Sequence, residues 1–382
     1  MNKLISLRDY KSAQQRRNFL EKQLNINLDN IGKFSFTEDQ VSGRNIENLI
    51  GATQIPIGIA GPLTLYPKPY TLNPIYIPLA TTEGALVASV SRGCSAITQS
   101  GGAHVEVENV GITRGPVFKT RGINHGFEIK KWIEKHFNLI AQTAQKTSSH
   151  LKLLKIDPAI VGRNIFLRFS FDTTDAMGMN MATIATQEIA KLIEQKTKAQ
   201  CISLAGNFDI DKKPAWLNFI SGRGKKVWAE VVLPEKIVRE TLRTTPEKIT
   251  ELVKTKNYLG SILAGSMGFN AHFANIIAAI FIATGQDPAH VVEGSLGVTT
   301  AEVVEKGDLY FSIYLPSLIV GTVGGGTHLP TQQEALKIMC VRNVLEYATI
   351  SAAAVLAGEL SLLASLAEGT LARAHQKLGR KK

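Results

Sequence analysis

Cysteine is scarce in this chain, and its placement excludes two classes of protein. The 382 residues include three cysteines, Cys94, Cys201 and Cys340, which lie far apart and show no CxxC spacing. This pattern excludes a disulfide scaffold and argues against a structural zinc site. A composition of 44% hydrophobic and 20% charged residues predicts a folded globular protein, and the few cysteines indicate a reducing environment.

Long hydrophobic runs are also absent. The segment from Met1 to Asn18 contains no apolar run of the length that a secretory signal needs. No segment reaches the roughly 18 uninterrupted apolar residues that cross a bilayer. The best candidate, Ile276 to Thr284, is too short. These absences predict a soluble cytoplasmic protein.

Two common nucleotide-binding fingerprints are missing. The chain contains neither GxGxxG nor GxxxxGK[ST], which excludes a Rossmann fingerprint and a P-loop. Positive charge is in excess, because 43 Lys and Arg against 32 Asp and Glu give a net charge of +11. Such an excess suits nucleic acid, a membrane surface or polyanionic small molecules. Basic residues are not interleaved with aromatic ones, so nucleic-acid binding has no further support.

The patterns that are present alternate between strand and helix. The prolines between residues 54 and 79 exclude a long helix there and predict short extended pieces. The alternation over 116–203 predicts a small α+β unit inserted between the flanking parts. Helices are predicted at 9–24, from Thr81 or Thr82 to Gly101, at 127–153, Met177 to Ile193, Asn270 to Thr284 and most of 332–375. Strands are predicted at Asn164 to Phe171, Cys201 to Leu204, Val227 to Leu233 and Leu309 to Val320.

Four charged residues have both a structural and a chemical interpretation. Glu83 lies near the start of a predicted apolar helix, where an acid complements the helix dipole or, poorly solvated, acts as a general acid. Lys212, in the sequence DKKP, lies in a solvated turn or in a cationic site for a developing oxyanion. Asp287 stands at a helix stop, and His375 near the end of the last predicted helix. Taken singly, each favours the structural interpretation.

Two glycine-containing segments are candidates for binding an anion. Asp175 to Met181, with the sequence DAMGMNM, follows a strand and opens a helix. Free N–H groups at the helix start can hold a phosphate, and Gly178 permits close backbone approach. The methionines are equally compatible with core packing. Gly321 to Thr327 is either a second anion-binding loop or a tight turn.

These segments, taken together and in order, resemble the 3-hydroxy-3-methylglutaryl-CoA (HMG-CoA) reductase family. One such motif is weak, but ten in order from residue 47 onwards are specific. The DAMGMNM form is similar to the class I enzymes that use NADPH, in a soluble prokaryotic version. The matching segments are Glu47 to Gly51, Pro56 to Pro62, Ala80 to Gly84, Gly111 to Pro116, Asp175 to Met181, Gly206-Asn207 with Asp211 to Pro214, Asn270 to Asn275, Gly285 to Asp287, Gly321 to Thr327 and Gly358 to Ser361.

The resemblance implies an α/β (α+β) fold with two interleaved domains. A large HMG-CoA-binding domain with a central helix would comprise residues 46–115 and 204–382. A small ferredoxin-like α+β domain that binds NADP would interrupt it at 116–203, and residues 1–45 would form a helical extension. The family also implies active sites between subunits, and therefore a homodimer or homotetramer.

The resemblance implies a two-step reduction of (S)-HMG-CoA to (R)-mevalonate and CoA. Two NADPH would be used, mevaldyl-CoA and mevaldehyde would be intermediates, and no metal would be needed. Lys212 would stabilise the oxyanion, Glu83 would donate a proton and Asp287 would bridge the two. His375 would protonate the departing CoA thiolate. This chemistry belongs to the mevalonate pathway of isoprenoid synthesis.

The resemblance also implies a set of binding residues. Arg114 suits the substrate carboxylate because a guanidinium binds such a group through two hydrogen bonds. The other implied substrate contacts are Asp211, Lys213, Lys256 and Asn275 for the hydroxymethylglutaryl part, Ser89 and Arg92 for CoA, and Leu362 and Leu366 beside the methyl group. The implied cofactor contacts are Asp175, Met177, Gly178, Met179, Asn180, Ser148, Ser149, Gly324, Gly325, Thr327 and Arg380.

Three positions depart from the family pattern. Ala205 replaces a serine of the animal members, which removes one substrate hydrogen bond. Residues 146–150 lack the family arginine for the 2′-phosphate, leaving Ser148, Ser149 and His150 with Arg380 for that role, so NADPH stays favoured. Lys381 replaces a regulatory serine, and that phosphorylation switch is not expected. The alternatives left open are a reductase of this fold that prefers NADH or runs oxidatively, and a non-catalytic anion-binding scaffold.

Overall fold

The computed structural model describes residues 10–66 and 74–369. The α-helices in these ranges are α1 Ala13–Leu24, α2 Glu38–Val41, α3 Leu86–Gln99, α4 Ile123–Lys135, α5 Phe137–Gln145, α6 Met179–Thr197, α7 Trp216–Ser221, α8 Glu235–Ile237, α9 Pro246–Leu252, α10 Ser261–Ala264, α11 Phe273–Thr284, α12 Val291–Gly294, α13 Pro330–Ile338 and α14 Val344–Ala367. The strands are β1 Ile57–Leu63, β2 Ile75–Ala80, β3 His104–Arg114, β4 Val117–Lys119, β5 Lys152–Val161, β6 Asn164–Asp172, β7 Gln200–Ser203, β8 Gly224–Leu233, β9 Gly268–Phe269, β10 Gly297–Val303 and β11 Leu309–Leu318. Shorter π-helical turns are Val238–Leu242 and Val253–Gly260, and 3₁₀ turns are Pro288–His290, Glu305–Gly307 and Gly325–His328.

Most of the described strands form one nine-stranded sheet. Its order is β7-β4-β6-β3-β8-β11-β10-β9, and β5 also pairs with β6. The strand β3 joins two halves, because its residues from His104 onwards pair with β8 while Ile112, Thr113 and Arg114 pair with β6. The two remaining described strands, β1 and β2, form a separate antiparallel pair.

The segment from β4 to β7 has the ferredoxin-like arrangement. Along the chain it runs β4-α4-α5-β5-β6-α6-β7, while the strands lie side by side as β7-β4-β6-β5, all antiparallel. This is the split β-α-β topology. Its helices and strands share a core cluster of their own, which includes Ile129, Phe169 and Ile189. The predicted fold class is confirmed.

The larger core surrounds helix α14. This helix packs closely on α3, where a Cβ added at Gly93 would lie 1.9 Å from the carbonyl oxygen of Ala357. By length and composition α14 could cross a membrane, but most of it is buried inside the protein. Buried core helices commonly have this composition, and α14 is the central helix of the large core.

Three predicted helices differ from those observed. The helix expected from Thr81 begins at Leu86, because Ala85 adopts a left-handed conformation with φ 74°. The helical pattern over 127–153 divides into α4 and α5, and residues 152–153 belong to β5. The pattern over 332–375 is interrupted at 339–343, where Cys340 has φ 55° and Asn343 caps α14. Residues 370–375 lie outside the described ranges.

Candidate active site

The predicted lysine and aspartate form an ion pair. Lys212 Nζ lies 2.7 Å from Asp287 Oδ2. Asp287 also caps the following 3₁₀ turn, since its Oδ1 accepts the N–H of Ala289 at 3.0 Å. Burial raises the pKa of Asp287, but hydrogen bonds from Lys212 and Ala289 outweigh burial and hold the pKa below its ordinary value. Asp287 therefore stays ionised beside the ammonium group, and both side chains remain accessible to solvent.

The loop that presents Lys212 has an unusual backbone. Asn207, Ile210 and Lys212 have φ values of 62°, 53° and 55°, a region that non-glycine residues rarely adopt. Such a conformation persists when surrounding contacts determine it. Three contacts do so here: Thr113 Oγ1 to Asp209 O at 2.8 Å, Asn218 Nδ2 to Ile210 O at 2.9 Å, and Lys212 N to Glu293 Oε1 at 2.6 Å.

A buried arginine lies beneath this loop. Arg223 is fully buried, and its Nη1 lies 2.9 Å from Glu293 Oε1 while its Nη2 lies 2.9 Å from Asp211 Oδ1. Its Nε donates to Thr113 Oγ1 at 2.9 Å, and Nη2 lies 3.0 Å from the sulfur of Met179. One guanidinium thus contacts four elements: the loop at 207–213, called the substrate loop because it carries the predicted substrate residues Asp211 and Lys213, a strand, a short helix and the first residue of α6.

His290 completes the buried cluster. It is fully buried, with Nε2 3.8 Å from Asp287 Oδ2 and Nδ1 3.6 Å from Glu293 Oε2. Ligand atoms of Asp211, His290 and Glu293 lie within 4.8 Å of one another, a spacing that could suit a metal ion. The guanidinium of Arg223 lies against both carboxylates and supplies the positive charge between them.

The other side of the site is more open. Glu83 is exposed, its Oε1 accepts from Asn275 Nδ2 at 3.2 Å, and its N–H donates to Thr81 Oγ1 at 3.0 Å. The expectation that Glu83 lies in an apolar, poorly solvated first turn is wrong, because α3 starts three residues later. Within the described ranges no hydrogen bond joins Glu83 to Lys212 or Asp287, so the expected bridge by Asp287 extends to Lys212 alone.

Asn275 lies on α11, and a buried glutamate holds the start of that helix. Glu359 is fully buried on α14 and accepts hydrogen bonds from four donors. One of these donors, Asn257, directly follows the predicted substrate residue Lys256, which is half-buried. The donors are Ala271 N at 2.5 Å, Thr299 Oγ1 at 2.7 Å, His272 N at 3.0 Å and Asn257 Nδ2 at 3.4 Å.

The other predicted substrate residues fall into three places. Arg114 Nη1 lies 3.4 Å from Asp209 Oδ2, so its guanidinium already has a carboxylate partner. Burial raises the pKa of Asp209 even though Arg114 lowers it. Lys213 Nζ donates to the carbonyl oxygen of Asp211 at 3.1 Å. On α14, Ser361 Oγ lies 3.0 Å from both Ser89 Oγ and Arg92 Nε, and Leu362 and Leu366 are half-buried.

The predicted cofactor segments lie together. Ala176 forms a β-bridge with Val323, which brings the DAMGMNM segment beside the loop that contains Gly324, Gly325 and Thr327. Asp175 Oδ1 accepts the N–H of Val344 at 2.9 Å and so ties this segment to α14. Ser148 Oγ lies 3.7 Å from Met181 Sδ, which places the loop of Ser148 and Ser149 next to α6.

The start of α6 is open to a ligand. Gly178 has φ 86°, and a Cβ there would lie 2.3 Å from the Thr173 side chain, so no other residue fits without displacement. Among the described residues no side chain caps the first N–H groups of α6, and Asn180 is exposed. The predicted residues His375 and Arg380 lie outside the described ranges.

Four residues that support the site were not predicted from the sequence. Arg223, His290 and Glu293 occur in segments with no recognisable pattern, and their importance depends on contacts between distant parts of the chain. Glu359 lies in the matched segment Gly358 to Ser361 but received no role. The one signal in the sequence that could have revealed it is a glutamate inside an apolar helix, since a glutamate is rarely buried without partners.

Comparisons with known proteins identify the family. The family model described as hydroxymethylglutaryl-coenzyme A reductase matches residues 12–380. The 3-hydroxy-3-methylglutaryl-coenzyme A reductases of Pyrococcus horikoshii and Methanocaldococcus jannaschii are each 52% identical, over 97% of this chain and 92% and 93% of theirs. Reductase 2 of Dictyostelium discoideum is 45% identical, over 93% of this chain and 69% of its own.

A solved structure agrees with the fold. The class II 3-hydroxy-3-methylglutaryl-CoA reductase from Streptococcus pneumoniae, bound to NADPH in open conformations, matches with a TM-score of 0.71 at 19% identity. The match covers 95% of this chain and all of that one. Together the comparisons define an oxidoreductase of the mevalonate pathway. The chain belongs to the hydroxymethylglutaryl-coenzyme A reductase family.

Proposed function

We propose that this protein reduces (S)-HMG-CoA to (R)-mevalonate and CoA with two NADPH, through mevaldyl-CoA and mevaldehyde. The observation that carries the proposal is the ion pair of Lys212 and Asp287, 2.7 Å apart, on a loop that a buried arginine links to the predicted cofactor segment. A fixed ammonium group near a reacting carbonyl stabilises negative charge that develops on its oxygen.

The proposed roles follow from the chemistry of each group. Lys212 stabilises the oxyanion in both reductions, and Asp287 keeps the ammonium charged and oriented. Glu83, oriented by Asn275, donates the proton that the alkoxide needs. His375 protonates the departing CoA thiolate, so that the thiol does not recapture the aldehyde. Arg114, Asp211, Lys213 and Lys256 bind the hydroxymethylglutaryl part, and Ser89 and Arg92 bind CoA.

NADPH, when bound, supplies hydride to the substrate carbonyl. The residues that would hold it are Asp175, Met177, Gly178, Met179 and Asn180 with the 324–327 loop, and Ser148, Ser149 and Arg380 would hold its 2′-phosphate. Two observations support the fit. In the part of the chain that the structure describes, no side chain caps the first N–H groups of the 19-residue helix α6, and Asn180 in its first turn is exposed.

We also propose the domain boundaries and the oligomeric assembly that the sequence predicts. Residues 116–203 would bind NADP, residues 46–115 and 204–382 would bind HMG-CoA, and residues 1–45 would be an extension. The openness of the Glu83 side supports a site that a partner subunit completes, in a cytoplasmic homodimer or homotetramer. Dilution that dissociates the oligomer would then abolish activity.

A cofactor-oxidation assay tests the proposal. Purified protein is mixed with HMG-CoA and either NADPH or NADH, and mevalonate is identified in the products. We expect mevalonate with NADPH and slower turnover with NADH. Faster turnover with NADH would overturn the 2′-phosphate assignment but keep the reductase. No turnover with either cofactor, from a folded oligomer, would favour a non-catalytic scaffold.

A further inference from the structure

Arg223 contacts side chains from four separate elements of the candidate site. It precedes β8, is fully buried, and reaches Thr113 on β3, Glu293 on α12, Asp211 in the substrate loop and Met179 at the start of α6. A guanidinium is planar, always charged and presents its donors in a fixed fork. The four contacted elements therefore keep a fixed relation to one another.

Each partner of Arg223 adjoins a group with a proposed role. Thr113 precedes Arg114, Asp211 precedes Lys212, and Met179 belongs to the proposed cofactor segment. Glu293 connects to Lys212 directly, because the oxygen that pairs with Arg223 also accepts the Lys212 N–H at 2.6 Å. A displacement of Arg223 would therefore move both the substrate loop and the cofactor segment.

The loop of Lys212 needs such support. Its positive φ values are not favoured by its own residues, so contacts from outside the loop must hold them. We propose that Arg223, clamped by Glu293, is a positioning residue that aligns Lys212 with the cofactor segment. The proposal rests on the function proposed above and extends it to a residue that does not contact the reacting atoms.

The charges around Arg223 explain why it is tolerated in the interior. Glu293 pairs with its Nη1 and Asp211 with its Nη2, and His290 Nδ1 lies 3.6 Å from Glu293 Oε2. Removing one member of a buried ion pair leaves an uncompensated charge and destabilises the fold. A test of positioning therefore needs a variant that keeps the charge, and a control that measures the cost of altering a buried arginine elsewhere.

Arg223→Lys and Arg16→Lys form a matched pair. Arg16 is also buried and also pairs with a glutamate, Glu38, at 3.0 Å, but it lies in α1. An ammonium group is a point charge that does not reach all four partners of Arg223. We expect kcat to fall about 100-fold in R223K, as a small misplacement of catalytic groups can cause. In R16K, kcat should stay within about twofold for a similar change in Tm. Equal loss in both variants, or unchanged kcat in R223K, would overturn the proposal.

A second, less disruptive pair of variants tests the proposal if R223K does not fold. Thr113→Val removes the hydroxyl that accepts from Arg223 Nε and donates to the carbonyl oxygen of Asp209, while Thr113→Ser keeps both contacts. We expect kcat to fall about tenfold in T113V and to be restored in T113S, since a lost hydrogen bond of this kind costs about that factor. A kcat in T113V equal to that in T113S would contradict positioning through this contact.

Crystal structures separate this proposal from the proposed function. If the wild type makes no mevalonate, the proposed function fails, whereas positioning is still judged by the separation of Lys212 Nζ and Asp287 Oδ2. In R223K this separation should exceed about 4 Å, the limit of an ion pair. In R16K it should stay near 2.7 Å, as in the parent. An unchanged separation in R223K would overturn the proposal.

Discussion

Two buried glutamates support opposite sides of the candidate active site, and their charges are neutralised in different ways. Glu293 lies beneath Lys212 and pairs with Arg223. Glu359 lies beneath the start of the helix that carries Asn275, and in the described ranges its partners are neutral amide and hydroxyl donors. Both are fully buried.

The difference separates two kinds of support. A carboxylate that shares an arginine with other elements transmits position among them, because the guanidinium fork has fixed geometry. A carboxylate that satisfies several N–H and O–H donors instead stabilises the local fold, since each donor would be costly to leave unpaired. We therefore expect changes at Glu293 to affect catalysis most, and changes at Glu359 to affect stability most.

The largest expected effect is at the group that Glu293 positions. Lys212→Ala should lower kcat by about 10²–10³-fold, because the oxyanion loses its positive partner. Mevalonate formation under saturating substrate is the measurement. Lys131→Ala, on the exposed part of α4, is the control and should retain full activity. Near-normal turnover in K212A would mean that Lys212 has no catalytic role and that Glu293 does not position a catalytic group.

The next effect is on stability. Glu359→Gln leaves one oxygen where two accepted four hydrogen bonds, and turns an NH₂ group towards N–H donors. We expect the free energy of unfolding to fall by about 2–3 kcal/mol, the cost of one or two unsatisfied buried groups. Denaturant unfolding of E359Q and of the exposed Glu240→Gln measures it. A difference below about 0.5 kcal/mol between the two variants would contradict the role of Glu359.

Glu293→Gln should show the reverse pattern. Its Oε1 carries both hydrogen bonds, so an amide oxygen there preserves them while the ionic clamp on Arg223 is lost. We expect kcat to fall about tenfold, as loosening of a positioned group predicts. The unfolding free energy should fall by less than in E359Q, because Asp211 still pairs with Arg223 and no charge is left without a partner. If E293Q is the less stable variant and keeps its kcat, the comparison of the two glutamates is wrong.

Much of the fold could be predicted because its signals are local. The strand predicted at Asn164 to Phe171 and the helix predicted at Met177 to Ile193 show their periods directly, and the observed bounds are Asn164–Asp172 and Met179–Thr197. The start of α3 could not be predicted, because it depends on the left-handed conformation of Ala85. The segment 332–375 was predicted as mostly helical, but the break between α13 and α14 could not be predicted, because it depends on the left-handed conformation of Cys340.

The candidate site also has residues that the sequence predicts and residues that it does not. The sequence motifs pointed to Lys212 and Asp287, which the structure brings together, and to Glu83 and Asn275, which form a hydrogen bond. The solvation of Glu83 was not predictable, because it depends on where α3 begins. Arg223 and Glu293 are 70 residues apart in sequence, and no local pattern reveals a pair of that separation.

The smallest expected effect is a pH dependence on the Lys212 side. Burial raises the pKa of Asp287, but its hydrogen bonds from Lys212 and Ala289 lower the pKa more, so the net pKa lies below the unfolded value. The pair therefore stabilises the fold above the unfolded pKa of about 3.9, and this stabilisation is lost as pH falls through the folded pKa. Because the pair is partly exposed, we expect a contribution below about 1 kcal/mol.

A double-mutant cycle measures this contribution. The unfolding free energies of the wild type, Asp287→Asn, Lys212→Ala and the double variant are compared over a pH series from about 6 down to about 2. The wild type should lose more stability on acidification than D287N does. In the K212A background this difference should shrink, because the main hydrogen bond that lowers the pKa of Asp287 is gone. The same acid-induced loss with and without Lys212 would mean that Ala289 and His290, rather than the lysine, keep Asp287 ionised.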